Sequence, residues 1–226
     1  MKYTGREMES MDFAVNYHRW ILEIFRPFLG KRIVEVGAGT GAFSEMLMET
    51  RPDSLTMLEP SANLFPILVE RMGPDRTLQN TLREASISNP DSILYVNVLE
   101  HVEDDETELA AVHSLLAPGG RVLIFVPANR WLMSDMDRLM GHHRRYTLAE
   151  LSLKCTSAGF NIRYSSRFDA LGIIPWLVKY RLLRSTTMES GLVKLYDSLV
   201  VPVARVAEGF IPPPIGKSII LIGEKN

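Results

Sequence analysis

The chain has 226 residues, 46% of them hydrophobic and 23% charged, which is the composition of a globular protein large enough for one sizeable α/β domain. Its formal net charge of −2 offers no basic surplus for nucleic acid, and the single cysteine, Cys155, excludes an internal disulfide and a cysteine metal cluster. The polar N-terminal stretch and the lack of an apolar run of 18 residues predict neither a secretory signal nor a membrane span. We therefore expect a cytoplasmic protein.

Hydrophobic periodicity divides the chain into alternating strands and helices. The patterns predict, in chain order, a helix over 11–29, a strand over 33–36, a helix over 42–49, a strand over 55–58, a helix over 62–72, a short strand over 76–79, a strand over 91–98, a helix over 105–116 opened by a capping box at 105–108, a strand over 122–126, a helix over 148–158, a strand over 160–165, helices over 175–183 and 192–206, and a strand over 218–222. This alternation predicts an α/β fold, a Rossmann-like seven-stranded, mostly parallel sheet with helices on both faces.

The same patterns predict a central core with helical additions. Residues 1–30 form an N-terminal helical cap, 31–167 the core, 168–215 a helical lid inserted before the last strand, and 216–226 that final strand of the core. The apolar lid sequence is compatible with a pocket for a hydrophobic acceptor, peripheral contact with a membrane surface, a dimer interface, or a cover for the sheet.

A glycine-rich loop follows the first strand and is the strongest indication of a ligand site. In the stretch IVEVGAGTGAF over 33–43, glycines recur at every second position, which gives the backbone the freedom to approach a ligand closely. Gly37, Gly39 and Ala42 also satisfy the G-x-G-x-x-G/A pattern of dinucleotide-binding loops. Glu35, two residues before the first glycine, instead suits a ligand that carries an ammonium group.

Glu59 follows the second predicted strand, 20 residues after Gly39, and suits acceptance of two ribose hydroxyl groups. Dinucleotide enzymes have an acidic residue at the same position. Glu59 therefore indicates a ligand with a ribose but does not distinguish one nucleotide from another. Ser61, at the start of the following helix, is expected to cap that helix.

Several motifs of the sequence resemble those of the class I S-adenosylmethionine-dependent methyltransferases, in the branch that acts on small molecules. The resemblance covers residues 11–167 and lies in the motifs EVGAGTG at 35–41, LEP at 58–60, NVLEHVEDD at 97–105 and LLAPGGRVLIFVPA at 115–128. The motifs NYHRW at 16–20 and GHHRRYT at 141–147 are similar to a bacterial subgroup of methyltransferase domains.

The resemblance implies an enzyme that uses S-adenosyl-L-methionine to methylate a small molecule. Oxygen or nitrogen is favoured over carbon as the acceptor atom on general frequency alone. A nicotinamide-dependent oxidoreductase of Rossmann type is the alternative from the same fold class, and a non-catalytic S-adenosylmethionine-binding partner subunit is the other. The balanced charge argues against methylation of nucleic acid. The expected partner is a small molecule, with a dimer left open.

The resemblance also implies a set of cofactor-binding residues: Tyr17, Glu35, Gly37, Ala38, Gly39, Gly41, Glu59, Pro60, Asn80, Thr81, Asn97, Val98 and Leu99. Tyr17 either closes over the cofactor or packs in the core. Relatives often place an acid for the adenine amino group where this chain has 79–81, so a side chain or the backbone of that stretch would replace it.

Methyl transfer to a hydroxyl or amine benefits from a general base. The candidate bases are His101, His142 and His143, although similar sequences commonly have tyrosine at the last of these positions. The candidate substrate contacts are Arg144, Arg145, Tyr146 and Trp176. No metal site is expected, because the acidic run over 103–108 is explained by a favourable interaction with a helix N-terminus.

Overall fold

The computed structural model describes residues 14–226, and a seven-stranded sheet forms its centre. The strands are β1 (Arg32–Val36), β2 (Ser54–Leu58), β3 (Thr77–Leu78), β4 (Ser92–Val96), β5 (Arg121–Pro127), β6 (Asn161–Phe168) and β7 (Ser218–Glu224). Their order is β3-β2-β1-β4-β5-β7-β6. Only β7 runs antiparallel, between β5 and β6, so the predicted fold class is confirmed.

Helices cover both faces of this sheet. They are α1 (Val15–Phe25), α2 (Ala42–Met48), α3 (Phe65–Met72), α4 (Asp105–Leu115), α5 (Asp135–Met140), α6 (Leu148–Ser157), α7 (Ile173–Trp176), which continues as a π-helical segment over Leu177–Leu182, and α8 (Ser190–Phe210). Among the helices of residues 14–226, none combines the length and apolarity needed to cross a bilayer.

The sheet separates two hydrophobic cores, because side chains alternate between faces along each strand. Ile33 and Leu94 point into the core beneath α1, α2 and α8, whereas Val34 and Ile93 point into the core beneath α4 and α6. All four side chains are almost fully buried. Strands buried on both faces explain why the sequence shows continuous apolar runs rather than alternation.

The N-terminal helix is anchored by the segment that the sequence assigns to a lid. Asp197 of α8 accepts hydrogen bonds of 2.9 Å from the backbone N–H groups of Asn16 and Tyr17, in the first turn of α1. Ala14, at the N-cap position, has no side chain that could do this. Val201 and Ala204 lie in the core between the two helices. In this structure α8 therefore covers the sheet, and motion of the segment as a lid stays a prediction.

Several predicted helix ends differ from the structure. The predicted start of α1 at residue 11 lies outside the described residues, and α1 ends at Phe25 rather than 29. Helix α4 is capped by Asp104, which accepts from the Thr107 N–H, so the capping box predicted at 105–108 is wrong. The predicted cap at Ser61 is also wrong, because α3 begins only at Phe65. Helix α5 was not predicted.

Candidate active site

The glycine loop joins β1 to α2 in a backbone conformation that other residues rarely adopt. Gly37, Gly39 and Gly41 have φ values of 67°, 59° and 86°, in the left-handed region where a side chain costs energy. A Cβ at Gly37 would lie only 2.6 Å from Cγ2 of Val98, in the turn that follows β4. The three glycines, which we call the cradle, thus let the loop pack directly against the turn after β4, where a side chain at position 37 would collide with Val98.

Glu59 connects this loop to the end of β2. Its Oε2 accepts a 2.8 Å hydrogen bond from the Gly39 N–H, and its Oε1 accepts one of the same length from the Ser61 N–H. The side chain is only 4% exposed. Each carboxylate oxygen keeps a second lone pair, so Glu59 is preorganised and still able to accept from ribose hydroxyls. Its partner Ser61 acts through its backbone.

Glu35 lies on β1 beneath the cradle, where it is 3% exposed. Burial raises the pKa of its carboxyl to about 7, although a 2.5 Å hydrogen bond from Ser44 Oγ opposes that shift and the nearby charge of Glu59 adds to it. An ammonium group brought close would favour the ionised form. Binding of a cationic ligand next to Glu35 would therefore shift its carboxyl towards the ionised form.

The turn after β4 completes the crevice at the point where the strand order reverses. Strands β1 and β4 are neighbours, but the chain between them passes through β2 and β3 on the other side of β1, and ligands of open α/β sheets bind at such a switch point. Asn97 has φ 54° and its N–H donates to Phe125 O at 2.8 Å. Leu99–His101 then forms a 3₁₀ turn.

The motif over 141–147 lies against this turn because Tyr146 pairs with the residues at the C-terminal end of β5. The Tyr146 N–H donates to Pro127 O at 3.0 Å, and the Asn129 N–H donates to Tyr146 O at 2.8 Å. Tyr146 Oη donates to Asp105 Oδ2 at 2.8 Å. These contacts place the rings of His101 and His142 edge to face, with centroids 4.6 Å apart. The sequence named both histidines, and the structure brings them together.

Asp137, which sequence reasoning missed, organises this motif from α5. Its Oδ1 lies 3.0 Å from His142 Nδ1 and accepts from Arg145 Nε at 2.9 Å, while Oδ2 accepts from Ser134 Oγ at 2.7 Å. Burial opposes its ionisation, but the hydrogen bonds from His142 and Arg145 and the charge of Arg145 hold the pKa of Asp137 at about 2. The available signal was the capping box formed by Ser134 and Asp137.

Glu100 and His101 are next to each other and lie in an environment that disfavours charge. Glu100 is 0% exposed, and burial raises the pKa of its carboxyl to about 7. Burial, together with the neighbouring His142, lowers the pKa of His101 to about 3. At neutral pH His101 is therefore uncharged.

The predicted substrate residues are engaged in internal contacts. Arg145 is 2% exposed, pairs with Asp137, and has its guanidinium carbon 4.5 Å from the centre of the Trp176 ring. Trp176 Nε1 donates to Leu132 O at 3.1 Å. Arg144 lies 2.9 Å from Asp105 Oδ1. With these partners Arg145 and Tyr146 position the histidine motif, and their contact with a substrate stays a prediction.

The remaining predicted residues lie around the crevice or beneath it. His143 is exposed, and its N–H donates to Glu100 O at 2.9 Å. Thr81 is at the rim, where its N–H and Oγ1 both donate to Glu84, and Asn80 is half-buried beside it. Tyr17 is 5% exposed and packs against Phe125, Phe168 and Trp20, and its contact with a cofactor stays a prediction. Of the other predicted residues, Ala38 lies within the loop and its N–H donates to Leu58 O at 2.9 Å, Pro60 follows Glu59, and Leu99 begins the 3₁₀ turn.

A seven-stranded sheet with an antiparallel β7, a glycine cradle after β1 and an acid after β2 defines a class I methyltransferase. The sequence matches the methyltransferase domain family over residues 10–165. The chain therefore belongs to this family, and its cofactor is S-adenosyl-L-methionine.

Three known proteins show what this chain is similar to in sequence and in fold. It is 28% identical over 166 residues to a ubiquinone biosynthesis O-methyltransferase of Aeromonas salmonicida, covering 64% of this chain and 68% of that protein. It is 36% identical over 112 residues to an uncharacterised protein of Synechococcus, covering 45% of this chain but only 27% of that protein. The fold is similar to phosphoethanolamine N-methyltransferase 2 of Haemonchus contortus, solved with phosphomonomethylethanolamine and S-adenosylhomocysteine, with a TM-score of 0.66 at 15% identity over 96% of this chain and 56% of that one.

Proposed function

We propose that the protein transfers the methyl group of S-adenosylmethionine to an oxygen or nitrogen atom of a small molecule. The observation that carries the proposal is the juxtaposition of two sites: the turn bearing Glu100 and His101 begins at Val98, which contacts Gly37 of the cradle. Groups able to accept a proton thus adjoin the crevice for the methyl donor. The O-methyltransferase name of the Aeromonas relative supports oxygen as the first acceptor atom to test.

The cradle and its acids would hold the cofactor. The backbone of Gly37 and Gly39 would take the methionine portion, with Glu35 near its ammonium group and Glu59 on the ribose. When bound, the cofactor supplies a methyl group on a sulfonium; the C–S bond breaks with its electron pair on sulfur as the bond to the acceptor forms. Holding the acceptor in line is worth roughly 7–11 kcal/mol of barrier.

His142 is the best-placed base for the proton that an acceptor hydroxyl must lose. Asp137 lies 3.0 Å from its Nδ1, which favours the tautomer with the proton on Nδ1 and leaves Nε2 as the acceptor. His101 is 4.6 Å away, centroid to centroid, and burial lowers its pKa to about 3, which makes it a weak base. His143, whose ring is exposed, is the least favoured of the three predicted bases.

The proposal also covers the cellular location of the enzyme and the surface through which it would contact a partner. We place the enzyme in the cytoplasm, where a single buried thiol, Cys155, stays reduced. The outer face of α8 exposes an apolar row that suits a dimer partner or peripheral contact with a membrane. The members of this row are Leu192, Leu195, Leu199, Val203, Val206 and Phe210.

Incubation of the purified protein with labelled S-adenosylmethionine and panels of small phenols and amines tests the proposal. We expect label transfer to at least one acceptor, and a loss of about 10²–10⁴-fold in turnover for His142→Gln, with unchanged affinity for S-adenosylhomocysteine. His113→Gln, on α4 against Phe160, controls for histidine loss elsewhere. Affinity for NAD(P) without affinity for S-adenosylhomocysteine would indicate an oxidoreductase. Cofactor binding without transfer to any acceptor would indicate a non-catalytic partner subunit.

A further inference from the structure

Beside the cradle, three side chains converge in a way that the sequence did not predict. Glu100, His101 and His142 each present one ligand atom, and these atoms lie within 4.8 Å of one another. We infer that Glu100, His101 and His142 bind a divalent first-row transition-metal ion, of which zinc is the reference case. Two imidazoles and one carboxylate form a recognised donor set for such ions.

Glu100 is the first argument for a cation at this place. Its side chain is fully buried, and neither carboxylate oxygen has a hydrogen-bond partner among the described residues. Native proteins rarely leave a buried carboxylate in this state, because its desolvation is then uncompensated. His142 Nε2 is 3.9 Å from Glu100 Oε1, too far for a hydrogen bond. A metal ion bound between His142 Nε2 and the Glu100 carboxylate would supply the positive partner that this buried carboxylate lacks.

The histidines are held as metal ligands usually are, each by a group behind the ring. Asp137 lies 3.0 Å from His142 Nδ1, and this carboxylate–histidine arrangement directs Nε2 forward. The backbone of Gly141 hydrogen-bonds the His101 ring, and a Cβ added at Gly141 would be 3.7 Å from His101 Nδ1. Asp137 thus supports His142 from its Nδ1 side, and Gly141 supports the His101 ring through its backbone.

The spacing is slightly wider than that of a loaded site. Ligand atoms about 2.1 Å from one ion at angles near 90–110° lie roughly 3.0–3.4 Å apart. The 3.9 Å between His142 and Glu100 would shorten by small side-chain rotations. The acidic run over 103–108 takes no part, since Asp104 caps α4 and Asp105 pairs with Arg144, Lys154 and Tyr146.

The ion would activate the methyl acceptor, and this role rests on the proposed methyltransferase function. Three protein ligands leave coordination positions open, and a hydroxyl group bound there loses its proton more readily. His142 would then act as a ligand rather than as the base, and an acceptor hydroxyl bound to the ion would release its proton to solvent water before its oxygen forms the bond to the methyl carbon. This arrangement favours oxygen over nitrogen as the methylated atom, because a neutral amine needs no such acidification to become a nucleophile.

Metal binding is measured without reference to activity. The protein is stripped with a chelator, titrated calorimetrically with Zn²⁺, and titrated with Co²⁺ while the visible absorption is followed. We expect one ion per chain and a Co²⁺ spectrum that Zn²⁺ abolishes. Glu100→Gln and His142→Gln should each lose binding, and Asp137→Asn should weaken it about 10–100-fold. His143→Gln, one residue away with an exposed ring, should bind as the wild type does.

Three results would overturn the inference: no Zn²⁺ bound by the wild type, unchanged affinity in both Glu100→Gln and His142→Gln, or equal losses in His143→Gln. Affinity for S-adenosylhomocysteine shows whether each variant is folded, and two ligand variants are used so that one that does not fold leaves the test intact. Binding of Zn²⁺ without methyl transfer would refute the proposed function alone. Methyl transfer by a protein that binds no ion would refute the metal site alone.

Discussion

The carboxyl group of Glu35 makes the stability of the protein depend on pH. Its pKa is raised to about 7 from 4.5 by burial, so the folded state binds this proton more tightly than the unfolded state. The contribution of Glu35 to stability is therefore most favourable at low pH and is lost as pH rises through 7. A gap of about 2.5 units corresponds to about 3.4 kcal/mol, of which about 2–3 kcal/mol falls between pH 5 and pH 8.

The Glu35→Gln variant should lack this dependence. Urea unfolding of both proteins at pH 5, 6, 7 and 8 gives the free energy of unfolding at each pH, and the difference in favour of the variant should grow by about 2–3 kcal/mol across the range. Ser44→Ala, which removes the hydrogen bond that lowers the pKa, should move the transition to higher pH. Glu45→Gln, on the exposed side of α2, is the control. Parallel curves for wild type and Glu35→Gln would refute the reasoning.

Three further substitutions test the glycine loop, the carboxylate of Glu59 that binds it, and the anchor of α1. Gly39→Val places a β-branched residue at φ 59° and should reduce affinity for S-adenosylhomocysteine at least about a hundredfold in calorimetry; wild-type affinity would exclude the loop as the site. Glu59→Ala should weaken the same binding by about 1–3 kcal/mol, and a change confined to turnover would contradict its ribose role. Asp197→Ala removes both hydrogen bonds to the start of α1 and should lower the free energy of unfolding by about 1–2 kcal/mol; an unchanged denaturation midpoint would contradict this anchor.

Local patterns were sufficient for the fold and for the unusual conformation of the glycine loop. The strands are short apolar runs bounded by turn residues, and their alternation with helices leaves few arrangements of the sheet. Gly37, Gly39, Gly41 and Glu59 could be singled out from the sequence because positive φ and a strand-end carboxylate are properties of single positions. Their contacts with the cofactor stay predictions. The structure confirms the predicted sheet and helices on both faces.

The arrangement around His101 and His142 depends on contacts between distant segments, which periodicity does not reveal. Asp105 was interpreted as a solvated residue of the α4 N-terminus, but it is 2% exposed and binds Tyr146, 41 positions later. Arg145 was predicted to contact the substrate because a guanidinium group pairs well with a carboxylate or phosphate, and the structure shows it buried against Asp137. Helix α5 has six residues and no apolar stripe long enough to detect. Without that helix, the support behind His142 could not be predicted.

A crystal structure with S-adenosylhomocysteine tests the central claim most directly. We predict that the amino acid portion lies along Gly37–Gly39, that the ribose hydroxyls contact Glu59, and that the sulfur atom faces the side of the crevice formed by Asn97–His101. Electron density for the ligand elsewhere, or a cradle closed by side chains so that the ligand does not bind, would contradict the account.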